Sequence, residues 1–376
     1  MKDVFNINVA DSQATVVRPV SAKHFDIERY AAYAAEKEER CRKFQQAESD
    51  VLVYRRMRVK EVFAEDCSDM QRSLEWQLGA LEASMQYEAD VPNFLEPWYG
   101  LGTVASSFGL DYLWESGLAP AVNGKFSSTT EMLATPFKPV AETEIGKHTL
   151  EMISFFLEST QGKLPMSYCD VQSPLNTLSN IIDPNQFFMD FYLEPEAMHA
   201  AMSRCADLLI EFTRCQERLI GEALVKPGHG FSSAHAFSGL GMSDDSVTML
   251  PPDLYMDFAV PAMVSVGNAF GGTVFHSCGN WSDKKNEIVT IENLRMADGA
   301  FSKATDPGAN ATEGFADTFA HSGVILNARI VGIPDVVETK VKELWKPGMK
   351  LIVVTYCETP AEQKKVYDSI HAICGQ

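Results

Sequence analysis

With 376 residues, 45% of them hydrophobic, the chain can bury one large core; length alone permits two or three domains, but barrels often run well above average domain size as a single unit. Against 32 basic residues stand 51 acidic ones, a formal charge of -19, and without a segregated basic patch such a field excludes a nucleic-acid partner. The opening Met1-Lys2-Asp3 lacks the apolar core of a secretory signal, and the apolar stretch 258–275 is broken by Pro261, Gly267, Asn268 and the Gly271-Gly272 pair, so a cytoplasmic location and no membrane span are expected.

Residues 1–90 read as an N-terminal helical extension: charged and small residues fill 25–48, and Leu74, Leu78, Leu81 and Met85 recur at helical spacing in a second run. From 91 to 376, short apolar runs alternate with longer helical patterns, the signature of repeated β-α units around a parallel sheet. The strand candidates are 91–96, a weak one within 119–139, then 164–170, 230–237, 272–278, 294–301, 324–330 and 351–357. Among the intervening helices, 194–222 opens on Pro195 and carries Met198, Ala201, Cys205, Leu208, Leu209 and Phe212 as a core stripe. Eight strands predict a (β/α)8 TIM barrel. A doubly wound sheet gives a similar alternation, but no Gly-x-Gly-x-x-Gly turn follows any strand. A phosphate-cradling Gly-x-x-x-x-Gly-Lys loop, a Gly-x-Ser-x-Gly elbow and a Cys-x-x-Cys pair are also missing.

The sharpest feature is Thr273-Val274-Phe275-His276-Ser277-Cys278-Gly279-Asn280. Residues two apart in a strand share a face, so His276 and Cys278 project together from a strand's C-terminal end, where barrel enzymes place their sites. The eight cysteines show no disulfide spacing, and one more of them, Cys357, ends the last strand, where barrel closure can bring it to the same mouth. One nitrogen and two thiolates are a set zinc favours, with a fourth tetrahedral position left open; a His and a Cys two apart can equally fill a barrel interior.

Asp170 and Gln172 share one strand face and are candidates to hold a substrate, or simply to bond loop backbone. His235 either lines the pocket or is a structural residue, and Asp244 and Asp245 either orient a partner of His276 or cap a helix. Asn327 and Arg329, two apart, are placed to meet an anionic substrate group. Trp281 and Tyr356 flank the ligands, Tyr356 as a candidate substrate contact or as packing.

His276-Ser277-Cys278-Gly279 with a distant single cysteine resembles the uroporphyrinogen decarboxylase superfamily, and within it the corrinoid-dependent branch, the methylcobamide:coenzyme M methyltransferases. Tyr168-Cys169-Asp170-Val171-Gln172-Ser173-Pro174-Leu175 is similar to that family's third-strand motif. Ser243-Asp244-Asp245-Ser246 through Leu250-Pro251-Pro252-Asp253-Leu254-Tyr255 resembles its loop and helix before the ligand strand. By the same likeness residues 91–109 correspond to the first strand and its loop, and Glu96 falls where the decarboxylases carry their essential aspartate. The chain departs from the decarboxylases in lacking a recognisable N-terminal arginine-rich motif, which argues against a porphyrinogen substrate.

The resemblance implies a barrel with Zn2+ on His276, Cys278 and Cys357, and catalytic roles for Glu96, as displaceable fourth ligand or acid-base group, and for Asp170. It further implies a methylated corrinoid carried by a partner protein as donor, and a small-molecule acceptor, either a thiol such as coenzyme M or a folate. A metal-free decarboxylase-like lyase and a non-catalytic member that binds a corrinoid protein are the alternatives.

Overall fold

The computed structural model describes residues 13–97, 100–113 and 120–375, apart from the side chains of Glu65 and Asn123; the opening residues 1–12 lie outside that range. Helix α1, Ile27–Gln46, begins where the Asp26 carboxylate accepts the Arg29 N–H, which satisfies one of the unpaired donors of a first turn. It leads into β1, Asp50–Arg55, whose six residues are all buried. Helix α2, Met70–Ser84, is capped by Asp69 in the same way. A short antiparallel hairpin, β2 (Asp111–Leu113) with β3 (Ala121–Asn123), stands apart from the main sheet. Helices α3 (Thr129–Ala134), α4 (Glu144–Ser159), α5 (Pro174–Ile181), α6 (Pro184–Leu193) and α7 (Pro195–Ile220) follow; α5, α6 and α7 each place a proline in the first turn, where no backbone N–H is needed.

The remaining elements alternate strand with helix, except that the connections after β5 and β6 carry only short helices, Lys285–Ile288 and Phe315–Phe319. They are β4 (Leu240–Ser243), α8 (Val260–Ala269), β5 (Thr273–Ser277), β6 (Leu294–Ala300), β7 (Ile325–Ile330), α9 (Pro334–Leu344), β8 (Lys350–Thr355) and α10 (Pro360–Ile373). Six strands pair in parallel in the order β1-β8-β7-β6-β5-β4.

Two irregular stretches close this sheet into a barrel. The Asp90 N–H donates to Val53 O at 2.8 Å, and Leu95 and Ser167 exchange backbone hydrogen bonds with 165 and 95 at 2.9 and 2.8 Å. The third stretch pairs through Met166 with Leu224, and through Gln172 with Ser243 of β4. The staves are therefore β1, 90–95, 165–172, a split fourth made of 224–226 and β4, and then β5 to β8, which is a (β/α)8 barrel.

Alternation along the strands sorts the core into two layers. Leu52, Tyr54, Val274, Met296, Ile325, Ile352 and Val354 belong to one cluster, the barrel interior. Val51, Val53, Phe275, Ala297, Leu326, Leu351 and Val353, one position out of step, belong to the cluster beneath the helices. The interior is also filled by the excursion that splits the fourth stave: Phe231, Ala234 and Phe237 are buried in the inner cluster.

Three sequence expectations are corrected. Residues 1–90 are not a helical extension alone, because the first stave, β1, lies within them. Its Val-Leu-Val-Tyr run is bounded by charges that are buried yet paired: Asp50 accepts from Arg40 at 2.6 Å, and Arg55 Nε donates to Cys357 O at 2.9 Å. Of the weak second strand within 119–139, residue 119 lies outside the described residues, and its one strand, β3, belongs to the hairpin. Stretch 230–237 is a loop; Gly230 has a φ of +83°, and its apolar residues are buried because they plug the barrel.

Candidate metal centre at the barrel mouth

The inward alternation of β5 passes from Val274 to His276 and on to Cys278, so both side chains enter the mouth from one strand end. His276 Nε2 lies 3.3 Å from Cys278 Sγ. The turn after β4 supplies a third group: Asp245 Oδ1 accepts the Cys278 N–H at 2.6 Å and lies 3.9 Å from His276 Nε2. One ligand atom from each of Asp245, His276 and Cys278 falls within 4.8 Å of the other two, and this is the group of potential metal ligands found among the described residues. Asp245 is 46% exposed while His276 is 15% exposed, so the cluster opens to solvent on its carboxylate side.

The imidazole is held from behind. His276 Nδ1 bonds the carboxylate of Asp298, its register partner on β6. Asp298 is fully buried and also receives Asn327 Nδ2 at 2.5 Å and Arg329 Nε at 2.9 Å, both from β7. Asn327 in turn accepts Ser232 Oγ at 2.7 Å, and the Phe231 ring meets the imidazole edge-on at 5.8 Å. A histidine whose second nitrogen is fixed by a buried carboxylate is the arrangement that orients metal-bound imidazoles.

Burial works against the imidazolium, but its neighbours Cys278 and Asp298 outweigh that and push the His276 pKa up to about 10. Burial opposes the Asp298 carboxylate too, and Arg329 and His276 overcome that and hold its pKa low. Asp298 and Cys278 thus flank the imidazole on its two nitrogens, with the Asp245 carboxylate at the open side. Asp244 serves the backbone: its N–H donates to His276 O at 2.8 Å, its carboxylate accepts from Ser173 and Tyr255 at 2.7 and 2.8 Å, and burial raises its pKa to about 6.

The structure does not bring Cys357 into this group. Tyr356 continues the inward alternation of β8, which turns Cys357 outward into the helix-side cluster, where burial pushes its thiol up to about 11. Glu96 does end the second stave at the mouth, but its partners are Arg56 at 3.4 Å, His229 at 3.3 Å and the Gly230 N–H at 2.8 Å. Burial opposes its charge, and His229 and Arg56 more than compensate, leaving its pKa below the usual range. Burial brings His229 down to about 4.

Asp170 is buried and accepts Gln172 Nε2 at 2.7 Å, and Gln172 accepts Asn176 Nδ2. His235 leaves the site: it is exposed beside the start of the fourth stave, with Nδ1 3.0 Å from Leu224 O. Asn327 and Arg329 face the mouth, but both are committed to Asp298. Tyr356 is 8% exposed, and its phenol oxygen has no hydrogen-bond partner among the described residues. Trp281 is packing, with Phe275 and Phe315 at 5.3 and 5.0 Å.

Sequence reasoning missed Asp298, Arg56 and Arg58. For Asp298 a signal exists: a lone carboxylate in step with Met296 along a buried strand must face the interior and needs a partner there. Arg56 and Arg58 continue the inward alternation of Leu52 and Tyr54 past β1, which was itself unseen. So arginines do gather near Glu96, although no arginine-rich motif was recognisable in the sequence. Arg58 lies against the Phe63 ring at 4.3 Å, and burial lowers its pKa to about 10.

A (β/α)8 barrel with an imidazole, a thiol and a carboxylate converging at its C-terminal mouth defines a class of barrel enzymes with a rim-level site. The family model for uroporphyrinogen decarboxylase (URO-D) matches residues 26–226, more than half of the chain, and the chain belongs to that family. Among solved structures, a methyltransferase from Methanosarcina mazei superposes with a TM-score of 0.61 at 13% identity, over 90% of this chain and 98% of that one, a likeness of fold. No curated protein matches the chain. No helix among the described residues is long and apolar enough to cross a membrane.

Proposed function

We propose that this chain is a zinc-dependent methyltransferase that moves a methyl group from a methylated corrinoid, presented by a partner protein, to a thiol-type acceptor of the kind coenzyme M exemplifies, or to a folate. The observation that carries the proposal is the convergence of Asp245, His276 and Cys278, with His276 backed by buried Asp298. One oxygen, one nitrogen and one sulfur donor suit zinc, and three protein ligands leave a position for a reactant. When bound there, zinc supplies a Lewis acid that lowers the pKa of an acceptor thiol.

This chain's own residues do the rest. Asp298, braced by Asn327 and Arg329, fixes the ring plane of His276. Phe231 lies against that ring and helps to keep water from beneath it. Placing the acceptor and the donor in one mouth then contributes through proximity. In the transfer, a bond forms between the acceptor sulfur and the methyl carbon while the cobalt–carbon bond breaks. Its electron pair stays on the reduced corrinoid, and the thiol proton passes to water.

A metal-free lyase is the second reading. It draws on Glu96, which stands apart from the cluster among Arg56 and His229. Zinc analysis together with methylation of thiols by methylcobalamin separates the two. Stoichiometric zinc that disappears in Cys278→Ala, with chelator-sensitive methyl transfer, supports the first; activity indifferent to chelator overturns it.

A further inference from the structure

A cavity of ≈ 450 Å³ adjoins the cluster and shares Asp245 with it. Its polar wall is Gln172, Asn176, Ser179, Asn180, Ser246 and Thr248, with Phe188 and Met249 among its apolar surfaces. The hydroxyl protons of this wall are already spent. The Ser246 and Ser179 hydroxyls bond each other at 2.7 Å and share their two protons between that bond and Asn176 Oδ1 and O at 2.7 and 2.9 Å, and Thr248 Oγ1 donates to Asp245 O at 3.0 Å. Asn180 Nδ2 gives one proton to Asn176 O at 2.8 Å, while Asn180 Oδ1 accepts nothing among the described residues. The Cys278 N–H binds Asp245 Oδ1, which leaves Oδ2 as a second open acceptor. The second protons of the three amides remain, and they are uncharged donors.

Charge points the same way. Among the described residues, neither Lys nor Arg lines the cavity. Lys125, which follows β3, directs its ammonium to the carbonyl oxygens of Asn180 and Ser179 in α5 at 2.9 and 3.5 Å. A carboxylate, phosphate or sulfonate would enter this space with no cationic side chain in the described wall and with Asp245 beside it, whereas an ammonium or an uncharged donor would find open oxygens and an aromatic side chain.

We propose that this cavity receives the non-reacting end of the methyl acceptor, and that this end is an ammonium or an uncharged hydrogen-bond-donating group rather than an anion. The proposal rests on the reading that the acceptor's sulfur sits at Asp245, His276 and Cys278, and it sets the acceptor apart from coenzyme M, whose tail is a sulfonate.

The test uses three thiols that share a two-carbon spacer: 2-mercaptoethylamine, 2-mercaptoethanol and 2-mercaptoethanesulfonate, titrated by calorimetry into the full-length zinc-loaded protein. The amine binds about tenfold or more tightly than the sulfonate. In Asn180→Leu that ratio shrinks while zinc content and melting temperature hold. Equal or tighter binding of the sulfonate, or a ratio unmoved by Asn180→Leu, overturns the assignment. Ethanolamine and isethionate, followed by ligand-observed NMR on metal-free protein, read the cavity without the metal. Preference for ethanolamine in a protein that never binds zinc keeps the cavity assignment and sinks the methyl-transfer reading; zinc binding with preference for isethionate does the reverse.

Discussion

At the residue scale, His276 is held between Cys278 on one ring nitrogen and Asp298 on the other, and each contact has a separable consequence. Asp298→Asn keeps the shape but removes the charge that orients the ring, so zinc affinity is expected to fall about 10- to 100-fold without vanishing. Competition with a chromophoric chelator measures it, and unchanged affinity would detach Asp298 from the metal. Cys357→Ala is expected to leave zinc stoichiometry intact, because that thiol packs beneath the helices. Zinc loss in that variant, by elemental analysis, would show the thiol turning inward to bind.

Glu96→Gln breaks a buried pairing with Arg56 and His229 and should cost about 3 kcal/mol at neutral pH. The folded-state pKa of Glu96 is depressed, so its contribution is complete above the ordinary carboxylate value of about 4.3 and is lost as pH falls through the lower folded value. Urea melts of both proteins from neutral to acid pH should therefore converge on the acid side; a gap that widens there contradicts the assignment.

At the element scale, the ligand strand β5 depends on a close approach. A Cβ on Gly267 of α8 would stand 2.7 Å from the backbone nitrogen of Thr273, the first residue of β5. Gly267→Ala must therefore push the helix outward, at about 1–3 kcal/mol, and should loosen zinc binding as well as lower the denaturation midpoint. A variant with wild-type midpoint would mean that the helix is free to shift.

The same strand explains what was readable beforehand. β5 to β8 are compact apolar runs with clear ends, so their positions and the pairing of His276 with Cys278 follow from alternation alone. Placing Cys357 needed the phase of β8, in which Val354 and Tyr356 face inward and Cys357 cannot. β1 escaped notice because Asp50 and Arg55, charges that read as surface, are neutralised by contacts with Arg40 and the carbonyl of Cys357. Staves 90–95 and 165–172 are irregular, and their pairing depends on partners far away in sequence.

At the scale of the whole molecule, a net charge of -19 must be carried on one folded body. Self-repulsion is screened over about 10 Å at 0.1 M salt, so the melting temperature of the metal-free protein should rise between about 10 and 300 mM sodium chloride. Scanning calorimetry tests this, and a falling melting temperature would mean that attractive surface pairs dominate.

The floor beneath His276 is not made by the strands that present the ligands. It comes from residues 227–239, which leave the fourth stave, place Phe231 and Ser232 under the imidazole and its supporting network, and return to β4. Grip and depth are thus encoded in separate stretches of chain. The excursion lies outside the parallel ladders of β4 to β8 and β1, so a change in its length alters how far a reactant sinks toward the ligands while the residues that clasp it stay on β5 and the turn after β4.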